Sequence, residues 1–228
     1  ATAKEIKLFG GRIYDAANND PQSDTQPPVA GPPVIRLDTI STPLNYCLAF
    51  SEPGVMATAS GVYLSLGCLA PRVESIAGML TAGVTGIKHR TILLKCDAPC
   101  RPTSPKAWRY INTLVTDDDA ETLGYKGFSA PNLYVENGRA YLLISPSSDE
   151  PMGDAYNGCF LIPFVDLGHG VLERNNQEAL NVIKHIQEKP GTFNGACTYQ
   201  AAMGRVLYSE ISIKQRRPYF HIYQSPAP

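Results

Sequence analysis

Three stretches of this 228-residue chain lie over one another, and that repeat constrains the fold more than any single motif. They are AFSEPGVMATASGVYLSLGC (49–68), GFSAPNLYVENGRAYLLISP (127–146) and TFNGACTYQAAMGRVLYSEI (192–211). Each carries a phenylalanine near its start (Phe50, Phe128, Phe193), runs through a short extended stretch to a glycine turn (Gly61, Gly138, Gly204), and returns as a second apolar strand. From the Phe to a Leu of the returning strand the count is 14 in every copy: 50 to 64, 128 to 142 and 193 to 207. Asn137-Gly138 supplies the positive φ values that a tight hairpin needs. A further apolar run follows each copy: RTILLKC (90–96), CFLIPFV (159–165) and YFHIY (219–223). A hairpin with a following antiparallel strand, recurring along the chain, is the pattern of a propeller blade. A β-sandwich is the alternative, since it gives similar turn signals without needing equal spacing.

Composition points the same way. Charged residues are 18% of the chain, and 19 Gly and 19 Pro favour strands joined by turns over long surface helices. Other strand-like runs are VYLSLGC (62–68), WRYINTLV (108–115), NLYVE (132–136), RAYLLIS (139–145) and RVLYSEI (205–211), rich in β-branched and aromatic residues and bounded by turn residues. The Pro-rich stretch at 20–33 reads as an exposed loop between RIYDA (12–16) and VIRLD (34–38). One helix is expected near 176–188, where Leu180, Val182, Ile183 and Ile186 approximate a single apolar face. The expectation is therefore an all-β, β-propeller-like chain of four to five short antiparallel blades with that one short helix. It reads as one domain, 1–228, with repeat units at approximately 49–115, 127–174 and 192–228. Residues 1–48 then supply a partial blade, or strands that close the ring.

Lys and Arg total 20 against 21 Asp and Glu, so no basic field exists to bind phosphates, and a nucleic-acid partner is not expected. No apolar run is long enough to span a membrane. Six cysteines (Cys47, Cys68, Cys96, Cys100, Cys159, Cys197) form an even set without zinc-site spacing. They suggest up to three disulfides of unspecified pairing, and with them a secreted or periplasmic setting. The start Ala-Thr-Ala, without Met or an apolar leader, suits a chain from which a signal has been removed.

Laying the repeats together isolates the chemistry. The innermost strand of a blade lines the central channel, and at one register the copies offer Glu52, Ala130 and Gly195. Glu52 is a carboxylate within the apolar run CLAFSEPGVMA, where an ionised group is costly unless paired or functional. Neighbouring positions add Ser51, Ser129, Asn194 and Asn132, which suit either a hydrogen-bonding ring for a polyol or the capping of strand ends. Glycosidic chemistry needs two facing carboxylates, so Asp38, and in its place Asp97, is the expected partner of Glu52. Trp108 is a candidate stacking surface for a sugar ring. The run Asp117-Asp118-Asp119 reads as a solvated turn, lacking the alternating ligands of a calcium loop. His169 lies in a Gly-rich turn, and His89, His185 and His221 have no partner at metal-ligand spacing. No cofactor is expected; a structural cation is left open.

GFSAPNLYVENGRAYLLISP resembles the blade signature of the five-bladed propeller glycosidases, especially glycoside hydrolase family 43 and its relatives. In that signature a small-residue-Pro step leads into an extended strand, an Asn-Gly or Asp-Gly turn and a Tyr-Leu-rich strand. SEPGVMATASGVYLSLGC is similar to the blade that carries an acidic residue just before a Pro. The resemblance covers residues 49–146 well and 192–211 more loosely. It implies hydrolysis of pentose-containing glycans with inversion, by an Asp base, a second Asp that tunes acidity, and a Glu acid. Only Glu52 carries over, onto the acid. Asn132 stands where the family has its second acid, and Asp20-Pro21 lies in a loop rather than before a strand. The functional expectation is a carbohydrate-active extracellular protein, a divergent glycoside hydrolase using a carboxylate pair. The alternatives are a non-catalytic propeller that binds a glycan or a protein, and an assembly subunit in an oligomer whose incomplete ring a partner closes.

Overall fold

A computed structural model describes residues 5–7, 34–36, 47, 49–71, 87–101, 105–148, 156–186, 194–200, 203–214 and 217–226. Strands dominate these residues. The first large sheet holds β3 (Ala49–Thr58), β4 (Gly61–Pro71), β5 (Ile87–Asp97) and β6 (Trp108–Thr116), in that order and antiparallel throughout. The second runs β7 (Gly127–Glu136), β8 (Arg139–Ser147), β9 (Cys159–Asp166) and β10 (Val171–Leu172), with β11 (Lys184–Ile186) also on β9. The third is β12 (Asn194–Gln200), β13 (Arg205–Lys214) and β14 (Arg217–Pro226). Each of these sheets is a meander that starts on a repeat hairpin, and β7 lies between β3 and β12. The chain is thus all-β with blade-like antiparallel sheets, as the repeats predict. Among the described residues β1 (Glu5–Lys7) pairs with β2 (Val34–Arg36) in a two-stranded sheet.

The middle strands explain why their sequences read as unbroken apolar runs. In the second sheet Leu142, Ile144, Phe160, Ile162 and Phe164 are buried in a cluster with Met56, Tyr63, Leu93 and Leu114 of the first. The intervening residues Leu143, Cys159 and Leu161 point the other way, into a cluster with Cys197, Val206 and Tyr208 of the third. Successive side chains leave a strand on opposite faces. A strand between two covered faces therefore needs apolar residues at every position, not alternate ones. The far face of the first sheet has its own cluster, in which Leu64, Leu66, Ile92, Leu94 and Trp108 pack around Cys47, Cys68 and Cys96.

Two expectations need correction. The helix expected near 176–188 does not form. The Asn175 side-chain oxygen accepts the N–H groups of Gln177 and Ala179, closing a local turn that competes with a helix. Leu180 then enters the cluster between the first two sheets and Ile186 the cluster between the second and third, which one helical face could not do. The short helix is instead α1 (Asp117–Thr122). Thr116 is its N-cap, and a capping box with Asp119 satisfies two backbone N–H groups at once.

The third repeat is also one residue out of its expected register. Each inner strand carries a β-bulge, between Ser51 and Gly54, Ser129 and Asn132, and Gly195 and Thr198. The residue with positive φ in each is Glu52 (52°), Ala130 (50°) and Ala196 (52°). Gly195 therefore corresponds to Ser51 and Ser129, and Asn194 to the phenylalanines. The equal count of 14 holds for the first two copies. In the third, the hairpin loop between Gln200 and Arg205 is longer and the arms shorter, so the count agrees by coincidence.

Candidate functional site

Glu52 is the residue around which the described polar groups gather. It sits half-buried in the bulge of β3, and its backbone conformation aims the side chain at the neighbouring sheet. Oε2 accepts the backbone N–H of Ala130 at 2.7 Å, and Oε1 accepts the hydroxyl of Tyr156 at 2.8 Å. These partners are 78 and 104 residues away in sequence. Both carboxylate oxygens thus hold short, charge-assisted bonds. The positive φ, which costs an L-residue roughly 1–2 kcal/mol, is no mark of catalysis here. Ala130 and Ala196 share it at the equivalent positions, so it belongs to the bulge.

Ser51 and Ser129 flank this point, half-buried, opposite Gly67 and Ser145 respectively. Asn132 follows on β7 and is half-buried where β3 and β7 approach closely: a Cβ on Gly54 would lie 2.4 Å from the carbonyl oxygen of Pro131 and 2.8 Å from the Asn132 Cα. Ser65, fully buried, donates to the carbonyls of Gly54 and Pro131 across the same contact. The side chain of Asn194 and all of Asp38 lie outside the described residues.

Asp97 is not brought to Glu52. It pairs with Gly61, where the β3–β4 hairpin turns, whereas Ser51 is level with Gly67 and Thr91. Six residues of extended strand separate these levels, on the order of 20 Å. Arg109 Nε at 2.9 Å and Lys95 Nζ at 2.8 Å bind the carboxylate. Arg109 first, then Lys95, holds its pKa down to about 2. Asp97 is a surface ion-pair partner, 54% exposed. Trp108, expected to offer a stacking face, is 5% exposed and belongs to the core.

The acidic run at 117–119 is the site that local reading missed. Only Asp118 is solvated, with Lys88 beside it. Asp119 closes the cap of α1 and pairs with Arg174. Asp117 is nearly buried: Oδ2 accepts the His89 backbone N–H at 2.8 Å, and Oδ1 stands 3.8 Å from His89 Nδ1 without a hydrogen-bond partner. Desolvation pushes its pKa up, against the smaller opposing effect of the His89 N–H. His89 lies at the same end of the first sheet as Ser51, facing the start of β7 through Gly127. The sequence carries one signal for it, a Thr116-Asp-Asp-Asp pattern with a capping threonine and an acid three residues on.

His169 forms an exposed pair with Asp166, Nδ1 to Oδ2 2.7 Å, which lowers the Asp166 pKa. His185 Nε2 lies 2.6 Å from the Asn157 carbonyl oxygen, its ring edge-on to Phe160. Among the described residues no group of three His, Cys, Asp or Glu is arranged to hold a metal ion. No described helix is long and apolar enough to cross a membrane. The six cysteines pair as Cys47–Cys68, Cys96–Cys100 and Cys159–Cys197, an arrangement suited to an oxidising compartment.

No family model matches the chain. No curated protein matches it either. Among solved structures it is similar to a β-fructofuranosidase of glycoside hydrolase family 32 from Bombyx mori, at 13% identity and a TM-score of 0.39, over 79% of this chain and 40% of that one. A mutant of that enzyme in complex with sucrose gives 13% identity and a TM-score of 0.38, over 77% and 37%. A family 32 glycoside hydrolase from Bifidobacterium adolescentis gives 13% and 0.39, over 78% and 35%. These are family 32 proteins rather than the family 43 of the blade resemblance, and this chain spans about two fifths or less of their length. An overlap this shallow assigns no activity.

Proposed function

We propose that the chain is a non-catalytic, extracellular carbohydrate-binding module of propeller-like build. The observation that carries this reading is the state of Glu52: both carboxylate oxygens are engaged within the protein, by Ala130 N–H and the Tyr156 hydroxyl. A general acid needs a carboxyl free to deliver its proton, and a second carboxylate across the scissile bond, roughly 6.5–9.5 Å away for inversion. Asp97 stands far outside that range along the ladder, already neutralised by two cations. In place of a carboxylate pair, Ser51, Ser129 and Asn132 stand half-buried beside Glu52 at the bulges of β3 and β7. Neutral donors and acceptors of that kind match sugar hydroxyls, as small-molecule sites generally use a few placed polar groups for orientation.

The test is a glycan array probed with the purified protein, followed by reducing-end release assays on every glycan that binds. The expected result is binding without release. Turnover of any glycan that Glu52→Gln abolishes would overturn the reading in favour of a hydrolase. One observation favours a second reading, the assembly subunit. Among the described residues the third sheet has three strands where the first has four, and Ile222 on β14 is 76% exposed. An unpaired strand edge is a ready site for pairing with another chain. Light scattering distinguishes the two: a monomer that binds glycan excludes it.

A further inference from the structure

We propose that Glu52 is a strut between the first two sheets, doing with a carboxylate what Ser145 does with a hydroxyl between the second and third. The three inner strands carry the same bulge, and the residue at its positive-φ position has a backbone N–H that the ladder does not use. Ala130 N–H is bound by Glu52 Oε2 of the preceding sheet, at 2.7 Å. Ala196 N–H, its equivalent one sheet later, is bound by Ser145 Oγ of the preceding sheet, at 2.9 Å. The two acceptors come from different positions. Glu52 lies in the bulge itself, whereas Ser145 lies on the returning strand opposite Ser129.

The residue equivalent to Ser145 in the first sheet is Gly67, opposite Ser51. A Cβ built there would lie 2.8 Å from Ser51 Oγ and 3.9 Å from Glu52 Oε2. Gly67 therefore leaves the space beside the glutamate carboxylate. The first sheet has Ser51, Glu52 and Gly67 where the second has Ser129, Ala130 and Ser145. Either set supplies one acceptor to the next bulge. An unsatisfied N–H in a partly buried seam is costly, and each junction supplies an acceptor for it. This role holds whatever the protein binds, and it concerns the seam rather than a ligand.

Exchanging the residue sets tests it. Urea unfolding is measured for the native chain, Glu52→Ala, Gly67→Ser and the double variant Glu52→Ala/Gly67→Ser, which gives the first junction the residues of the second. Loss of the acceptor raises the unfolding constant of Glu52→Ala about tenfold or more. Gly67→Ser alone also destabilises, because its Cβ would lie 2.8 Å from Ser51 Oγ, which must shift. In the double variant the serine reverses sign and recovers most of the loss, the coupling expected of two groups that serve one partner. A double variant no more stable than Glu52→Ala, or one that does not fold, overturns the proposal. So does a Glu52→Ala variant as stable as the native chain.

Discussion

Removing the Cys159–Cys197 bridge should cost more than removing either of the others, and the structure says by how much. This bond joins β9 of the second sheet to β12 of the third, whereas Cys47–Cys68 and Cys96–Cys100 both lie in the cluster of the first sheet. Its partners are 38 residues apart, against 21 and 4 for the other two. Closing a loop in the unfolded chain removes entropy that grows with the logarithm of loop length. At 25 °C this corresponds to about 3.9 kcal/mol for the longest loop, about 3.3 for the middle one and about 1.9 for the shortest. Cys159 and Cys197 are 0% and 2% exposed, and Cys47 and Cys68 are 1% and 2%, so lost packing is similar for those two bridges and loop length sets the order. Each pair is replaced by Ala, one bridge at a time, and urea unfolding is followed without reductant. The Cys159/Cys197 variant should lose about 2 kcal/mol more than the Cys96/Cys100 variant, an ordering that follows from chain entropy alone. Equal losses for all three, or the greatest loss at Cys96/Cys100, would refute the reasoning.

Three further outcomes are expected. Asp97 has a folded pKa of about 2 against an ordinary 3.8, so its carboxylate stabilises the fold above 3.8 and loses that effect as pH falls towards 2; Asp97→Asn should flatten this acid limb in urea midpoints and leave glycan binding unchanged. Asp117 has the opposite sign. Its raised pKa lets the native state hold a proton that the unfolded chain has released, so stability falls as pH rises from 3.8 through the folded value, and Asp117→Asn should abolish that slope. Gly54→Ala forces a Cβ against the Pro131 carbonyl at 2.4 Å, both backbone-anchored. Overpacking of this kind costs about 1–3 kcal/mol, read as a lower urea midpoint; no loss would mean that β3 and β7 are not in contact there.

What the sequence determined by itself was whatever depends on neighbouring residues. Asn137-Gly138 closes the second hairpin because its φ values are set locally. The runs ILLKC, YLLIS and FLIPF marked strands because short stretches rich in strand-forming apolar residues and bounded by turn residues are a local pattern. Only the tertiary structure decided which groups meet. An equal spacing of 14 could not reveal that the third bulge falls one residue later, because Phe193 precedes and Leu207 follows by one the positions equivalent to Phe50 and Leu64, which makes up for a shorter hairpin. The apolar face at 180–186 looked helical until its residues were needed by two different seams. The fate of the carboxylates was likewise out of reach. Asp97 is bound by Arg109 on the adjacent strand, and Glu52 by partners 78 and 104 residues away. A side chain's chemistry follows from what lies within a few ångströms of it, and in stacked sheets those neighbours come from distant parts of the chain.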